Sequence, residues 1–385
     1  MDTPTGGDSL AASFASGLAG TAKESTAGPA HPPAANAMAR RPQLTATPSG
    51  EALNDRIGIR AIRRFPLITL PLIAACVFSP ISGADSEPTV VRLQPVRALT
   101  SDDDYSDGEP AVSPDGQRVV FTRIDAARRQ RRRLWTVSIG GNDPRPLTPH
   151  DSPYDCSRAS WSPDGNSLAF RAGRPERPGA PGAIWLMTLD GEMRPLTDET
   201  RFNDFYPQWS PDGKWLAITR EVIGEGYDSI WIVGLDGTER RITSNTDDGK
   251  STVSPDGKYI AFGASPRSSR GVRDRIRSNI RILSTKDGEK SARQFTLGGG
   301  RGPTWSRDGR WIAFTSNRPS VDYYGQGYAL FLKSVYGGLV IQVTDGNAND
   351  FNPEWSPDGK SIVVAAVLTP GRSSIAVVNV LAIVR

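Results

Sequence analysis

The sequence predicts an all-β protein, a six-bladed β-propeller of four-stranded blades, and three observations predict it. A Ser-Pro-Asp-Gly turn occurs in six copies, one of them with Arg in place of Pro, 44 to 52 residues apart. Each copy is preceded by Trp or Val and followed by an apolar strand, so the repeat is a supersecondary unit of blade length. Finally, an outer-strand motif stands unpartnered before the first repeat, and the last repeat lacks one. Supplying the first to the second closes a ring.

The elements follow in chain order. Residues 1–53 are rich in Ala, Gly, Ser, Thr and Pro, too poor in apolar clusters to offset the entropy of ordering. This extension is expected to be disordered or to precede the true start, for which Met38 is available. Residues 54–84 read as a signal peptide. Arg56, Arg60, Arg63 and Arg64 form its basic region, Phe65–Phe78 its apolar run, and Ser82-Gly83-Ala84 a cleavage site before Asp85. The run is shorter than the roughly 20 residues that a membrane-spanning helix needs. Ile73-Ala74-Ala75-Cys76 supports a second reading, a lipobox in which Cys76 is acylated and gives the only membrane contact; an uncleaved anchor is a third. All three export the chain, to the periplasm or to the membrane as a lipoprotein. Residues 85–94 are a linker, and 95–385 are the propeller.

Within the propeller the turns are Ser113-Pro114-Asp115-Gly116, Ser162-Pro163-Asp164-Gly165, Ser210-Pro211-Asp212-Gly213, Ser254-Pro255-Asp256-Gly257, Ser306-Arg307-Asp308-Gly309 and Ser356-Pro357-Asp358-Gly359. Pro presets φ and Gly accepts positive φ, so the tetrapeptide suits a tight reversal. The flanking residues are Val112, Trp161, Trp209, Val253, Trp305 and Trp355. A second strand follows, as in Val119-Val120-Phe121, and a third, as in Leu134-Trp135-Thr136-Val137 or Ile230-Trp231-Ile232-Val233. A second turn, such as Asp190-Gly191 or Gly337-Gly338, leads to a short outer strand ending in Leu147-Thr148, Leu196-Thr197, Ile242-Thr243 or Val343-Thr344. The unpartnered Arg97-Ala98-Leu99-Thr100 matches that outer strand and is expected to complete the sixth blade.

These repeats resemble those of the TolB-type propeller, over residues 95–385. The resemblance implies an envelope location and a propeller that binds protein; TolB itself takes part in the Tol–Pal system and binds a peptidoglycan-associated lipoprotein. TolB carries an α/β domain before its propeller, and residues 85–99 are too few to form one. The resemblance therefore extends to the propeller alone. Related propellers gate peptidases of the prolyl-oligopeptidase type, which also need a hydrolase domain.

Composition narrows the function. A net charge of +4 over 385 residues is too small to imply nucleic acid. Two histidines, His31 and His150, are too few for the multi-histidine metal site of a propeller lyase, and no cofactor is expected. Gly7-Asp8-Ser9-Leu10, which spells a lipase nucleophile motif, lies in the N-terminal extension with no partner histidine, and Cys156 is expected to be a small semi-buried residue.

If the strands of each blade run outward as a, b, c and d, the tight a–b and c–d turns share one face, and the longer b–c and d–a loops share the other. Binding residues usually sit on such loops. On that face, Arg128–Arg133 (with Arg131, Arg132 and Arg133 at its end) and the spread Arg267, Arg270, Arg273, Arg275, Arg277 and Arg281 offer guanidinium clusters for an anionic partner. The alternative is a solvated hairpin tip. An Asp recurs five residues before the Trp/Val position, as Asp107, Asp204, Asp248 and Asp350, with Asp155 displaced by one and Gly300 in the fifth repeat. Symmetry places these near the tunnel mouth, where they either attract a cationic group or cap their own d–a turns. Tyr105, Tyr154 and Tyr206 lie in the same loops as interface anchors. The sequence thus predicts a monomeric, non-catalytic, exported scaffold that binds an envelope protein or peptide, such as a lipoprotein; the alternative is a carbohydrate- or peptidoglycan-binding propeller.

Overall fold

The computed structural model describes residues 89–90, 94–101, 104–125, 131–174, 181–224, 228–244, 247–265, 278–297, 299–317 and 327–380. The extension 1–53, the export segment 54–84 with Cys76, Arg128–Gln130, and Arg267, Arg270, Arg273, Arg275 and Arg277 lie outside these residues. Among those described, every regular element is a strand.

The strands form six sheets. Blade 1 holds β3 (Tyr105–Val112), β4 (Arg118–Asp125), β5 (Arg131–Ser138) and β6 (Arg145–Pro146); blade 2 holds β7 (Asp155–Trp161), β8 (Ser167–Gly173), β9 (Gly182–Thr188) and β10 (Met193–Pro195). Blade 3 is β11 (Phe202–Trp209), β12 (Trp215–Val222), β13 (Asp228–Gly234) and β14 (Glu239–Arg241). Blade 4 is β15 (Asp247–Val253), β16 (Tyr259–Ser265), β17 (Asn279–Ser284) and β18 (Gly288–Gln294). Blade 5 contains β19 (Arg301–Trp305), β20 (Trp311–Ser316), β21 (Ala329–Ser334) and β22 (Val340–Gln342); blade 6 contains β23 (Phe351–Trp355), β24 (Ser361–Thr369) and β25 (Arg372–Asn379). Neighbours within these blades are antiparallel. The outermost strand of blade 6 is β2 (Val96–Ala98), antiparallel to β25. Inside the stretch read as a linker, β1 (Thr89–Val90) adds a fifth strand to blade 5, parallel to β22.

The apolar core is a ring of six inter-blade layers. Phe121 and Leu99 meet Val363 and Ile375 between blades 1 and 6, and Phe170 meets Val120 and Leu134 between blades 2 and 1. The other four interfaces are built alike. The second strand of each blade is therefore covered on both faces, and Val119, Val120 and Phe121 are all fully buried. That explains the unbroken apolar run in place of the alternation of a half-solvated strand.

The recurring turns hold the inner strands. In each, the Ser hydroxyl donates to the Asp carboxylate at 2.5–2.7 Å and accepts the N–H five residues on, as in Arg118 N–H to Ser113 Oγ at 3.0 Å. The Ser hydroxyl holds the carboxyls of Asp115, Asp164, Asp212 and Asp358 below the usual range. Gly at the fourth position takes φ of +69° to +75°, the left-handed region that disfavours a side chain. The turns also touch around the ring: a Cβ at Gly165 would stand 3.8 Å from Pro114, and Gly213, Gly257, Gly309 and Gly116 meet Pro163, Pro211, Pro255 and Pro357 likewise. The chain of contacts breaks once. Gly359 faces Arg307, the one non-proline, and nothing lies within 4 Å of its Cβ position. The flanking Trp gives a further tie, because the indole N–H of Trp161, Trp209 and Trp355 donates to an inner-strand carbonyl of the preceding blade at 3.2–3.3 Å.

Candidate functional site

Each inner strand carries a β-bulge at its middle, between Gly108 and Ala111, Ser157 and Ser160, Phe205 and Gln208, Asp248 and Ser251, Arg301 and Thr304, and Phe351 and Glu354. Glu109, Arg158, Tyr206, Gly302 and Asn352 take positive φ there, between +48° and +57°. A bulge re-aims its side chain. Glu109, Arg158, Tyr206, Lys250 and Asn352, from the inner strands of five blades, converge on one cavity of about 20 Å³, room for about one water. These side chains fill the axial tunnel.

Two ion pairs cross it. Arg158 Nε lies 3.0 Å from Glu109 Oε1, and its guanidinium lies over Tyr206 at 4.6 Å. Burial, the largest single effect, opposes the Arg158 charge, but Glu109 and Tyr206 together outweigh it and hold the pKa above the ordinary value. On the other side, Lys250 Nζ reaches Glu354 Oε2 at 3.5 Å and the carbonyl of Pro353 at 3.4 Å. Gly302, at the bulge of the blade between them, has no side chain to obstruct that reach. Burial pushes the Glu354 carboxyl up, and Lys250 only partly reverses this.

The recurring aspartates sit elsewhere. Asp107 and Asp204 are buried inside their blades, each gripped bidentately by an arginine of the next strand. Arg123 contacts Asp107 at 2.7 and 2.8 Å, and Arg220 contacts Asp204 at 2.7 and 2.9 Å. Arg220 also pairs with Glu239 at 2.9 Å and lies 3.8 Å from the centre of Phe202; Arg123 lies over Trp135 at 4.5 Å. The carboxylates of Asp204 and Glu239 hold the Arg220 pKa above its ordinary value against the pull of burial, while burial pushes the Asp204 carboxyl up against the pull of Arg220. In blade 6 the matching arginine is absent, because the residue one step beyond the Phe351–Ala365 pair is Ala366. Asp350 is fully buried, accepts a hydrogen bond from Thr344, and leaves Oδ1 without a partner. Burial, with Asp345 adding, pushes its carboxyl up to about 6. Asp248 pairs with Ala264 in β15, and its side chain lies outside the described residues. In blade 2 the same position is Cys156, opposite Ala172, so a neutral pair replaces the ionic one; burial pushes that thiol up to about 12. A surface ring of carboxylates is thus not what Asp107, Asp204 and Asp350 form. They lie inside the sheets because strand alternation points them inward, toward the arginines or the outer-strand threonine.

The basic segment at the start of β5 is also engaged. Arg131 pairs with Asp155 at 2.8 Å and donates to the Ser152 carbonyl at 2.9 Å. Arg133 donates to the carbonyls of Tyr154 and His150 at 3.1 and 2.9 Å. These are not solvated tips: they fasten the b–c hairpin of blade 1 to the d–a loop of blade 2. Alternation turns Arg132 to the opposite face of β5.

Beside these staples opens a cleft of about 370 Å³, lined by Tyr105, Arg123, Asp125, Arg131, Arg133, Trp135 and His150. The structure therefore brings Tyr105, Arg131 and Arg133 together. It separates the other two tyrosines, since Tyr154 lies tilted against Trp185 with ring centroids 4.8 Å apart and Tyr206 belongs to the tunnel. Of the bulge residues the sequence reading named Tyr206 and missed Glu109, Arg158, Lys250 and Asn352. Their available signal is a proline three residues before the turn serine, in Glu109-Pro110, Tyr206-Pro207, Gly302-Pro303 and Asn352-Pro353.

Residues 85–282 match the family model of the TolB beta propeller domain. An uncharacterized protein of Agrobacterium fabrum (strain C58) is 31% identical over 212 residues, which are 53% of this chain and 63% of that protein. The uncharacterized peptidase YuxL of Bacillus subtilis (strain 168) is 26% identical over 218 residues, 56% of this chain and 30% of the peptidase. The chain thus spans less than two thirds of either curated relative. Among solved structures, a putative TolB from Agrobacterium tumefaciens is similar with a TM-score of 0.54 at 22% identity, covering 74% of this chain and 93% of that one, a likeness of fold.

Proposed function

Because the chain belongs to the TolB beta propeller domain family, we propose that it is a non-catalytic binding protein of the bacterial envelope. In this reading residues 54–84 export it, to the periplasm or to a lipid anchor on Cys76, and the monomer binds a protein or peptide on the b–c and d–a loop face. The observation that carries the proposal is the cleft on that face. Its 370 Å³ or so lies in the range of ligand pockets, and it combines two aromatic rings with guanidinium groups held rigid by hydrogen bonds to a neighbouring blade. Aromatic and Arg anchors in a pre-formed pocket are the usual energetic centre of a protein interface. The opposite face consists of tight turns whose polar groups are satisfied within each turn.

Affinity capture from envelope extract, with the full chain as bait, tests this. A Tyr105→Ala/His150→Ala variant with an unchanged melting temperature should lose a partner that wild type retains. Equal capture by both would remove the cleft from the interface, and turnover of an envelope peptide or glycan by the pure chain would replace binding with catalysis.

A further inference from the structure

Where blades 1, 2 and 3 meet at the loop face, positive charge exceeds its neutralisation among the described residues. Arg131, Arg132, Arg133, Arg158 and Arg171 form a connected group, and two carboxylates among the described residues pair with them. Asp155 serves Arg131 and, at 3.7 Å, Arg133; Glu109 serves Arg158. Both oxygens of Glu109 are engaged, the second accepting from the Thr122 hydroxyl and the Arg158 N–H, and Glu221 is engaged by the Asn203 amide at 3.1 Å.

Among the described residues, Arg171 and Arg132 are left without a carboxylate. Arg171 extends from β8 along the backbone of the next strand, where a Cβ at Gly182 would fall 2.5 Å from its Cζ. One amino group donates to Asn203 Oδ1 at 3.1 Å, the guanidinium lies 5.0 Å from the centre of Phe205, and Nε is buried with no partner. Phe205 has Arg158 on it as well, at 5.5 Å. Burial, then the charges of Arg158 and Arg132, pull Arg171 down to about 10. The side chain of Arg132 makes no hydrogen bond or ion pair among the described residues, and it is half-buried. Holding cations close together in a partly dry site without counter-charge is unfavourable for the free protein, and functional sites are where folds retain such a cost.

We infer that Arg171 and Arg132, backed by Arg158, form a carboxylate-binding site at the loop-face mouth of the tunnel, which takes an Asp or Glu side chain or the C-terminus of a peptide partner. Guanidinium planes match a carboxylate bidentately, and the rings of Phe205 and Tyr206 supply an apolar wall for the stem. The cavity of about 20 Å³ that Arg158 and Tyr206 line has room for about one water-sized group. The inference rests on the binding function proposed above and names the chemistry of its ligand.

The test is fluorescence anisotropy of labelled hexaglutamate and hexaglutamine with the full chain. Wild type should bind hexaglutamate and not hexaglutamine, with affinity falling as salt is raised. Arg132→Gln and Arg171→Met should each weaken hexaglutamate by about tenfold or more, whereas Arg145→Gln, on the outer strand of blade 1, should not. Since Arg171→Met alters packing, the half-exposed Arg132→Gln decides the matter if the first variant misfolds. No binding by wild type, equal binding of hexaglutamine, or undiminished binding by Arg132→Gln would each overturn the site, as would displacement of hexaglutamate by inorganic phosphate more readily than by glutarate. The two readings fail separately. Envelope capture that survives both substitutions leaves the binding protein standing without this site, and arginine-dependent hexaglutamate binding with no envelope partner does the reverse.

Discussion

Asp350 should make the stability of this propeller depend on pH in a direction opposite to the usual paired carboxylate. Its side chain is fully buried in blade 6, one oxygen has no partner, and Ala366 stands where blades 1 and 3 supply an arginine. Its carboxyl titrates near 6 in the folded protein against about 3.9 unfolded. The folded state therefore binds the proton more tightly, so the stabilisation is complete below about pH 4 and is lost as pH rises through 6. At about 1.36 kcal/mol per pH unit, the gap is worth roughly 3 kcal/mol. Asp350→Asn keeps the shape and removes the charge. Urea denaturation of wild type and variant at intervals from pH 4 to 8 should show the variant gaining relative stability with pH, by up to about 3 kcal/mol, and levelling off above 7. Subtracting the two curves removes the other carboxyls, which titrate in both. A difference that stays flat across this range, or one that favours wild type at pH 8, would refute the reasoning.

Other substitutions probe the remaining features. Asp204→Asn strands the fully buried Arg220 beside Glu239 alone and should cost about 3–5 kcal/mol in chemical denaturation. Gly182→Ala should cost about 1–3 kcal/mol by displacing Arg171, and combination with Arg171→Met should abolish most of that cost, a coupling that a double-mutant cycle reads directly. Arg307→Pro restores the proline that the other five turns carry and should raise stability by about 0.4–1 kcal/mol, seen as a higher melting temperature. In a Cys76→Ser background, Cys156 should resist thiol reagents at pH 8 while folded and react fully in denaturant, because burial pushes its thiol up to about 12.

The architecture was legible because its signal is redundant. Six copies of a turn whose Pro and Gly each have a conformational reason, with strands at constant offsets, leave little freedom in blade number or strand order. The site was less so. The recurring aspartate was visible as a pattern, but its meaning depends on strand register: Asp107 faces Arg123 and Asp204 faces Arg220 across a ladder, at a separation of 16 residues that no local motif announces. The basic run before Leu134 was visible too. That Arg131 and Arg133 point one way into the carbonyls of blade 2, and Arg132 the other way toward Arg171, follows from alternation once β5 is known to begin at Arg131. The tunnel lining was hidden because a bulge shifts the alternation by one residue, so a period of two assigns those side chains to the wrong side.

The filled axis has a consequence for traffic through the molecule. With Glu109, Arg158 and Tyr206 packed on one side and Lys250 braced against Glu354 on the other, side chains occupy the axis, and the space left between them among the described residues has room for about one water. Such a propeller is a cup and not a pipe. Whatever it holds must come and go through the same rim, so departure is governed by the rim loops and by competitors arriving there, and an occupied cup is closed to a second guest.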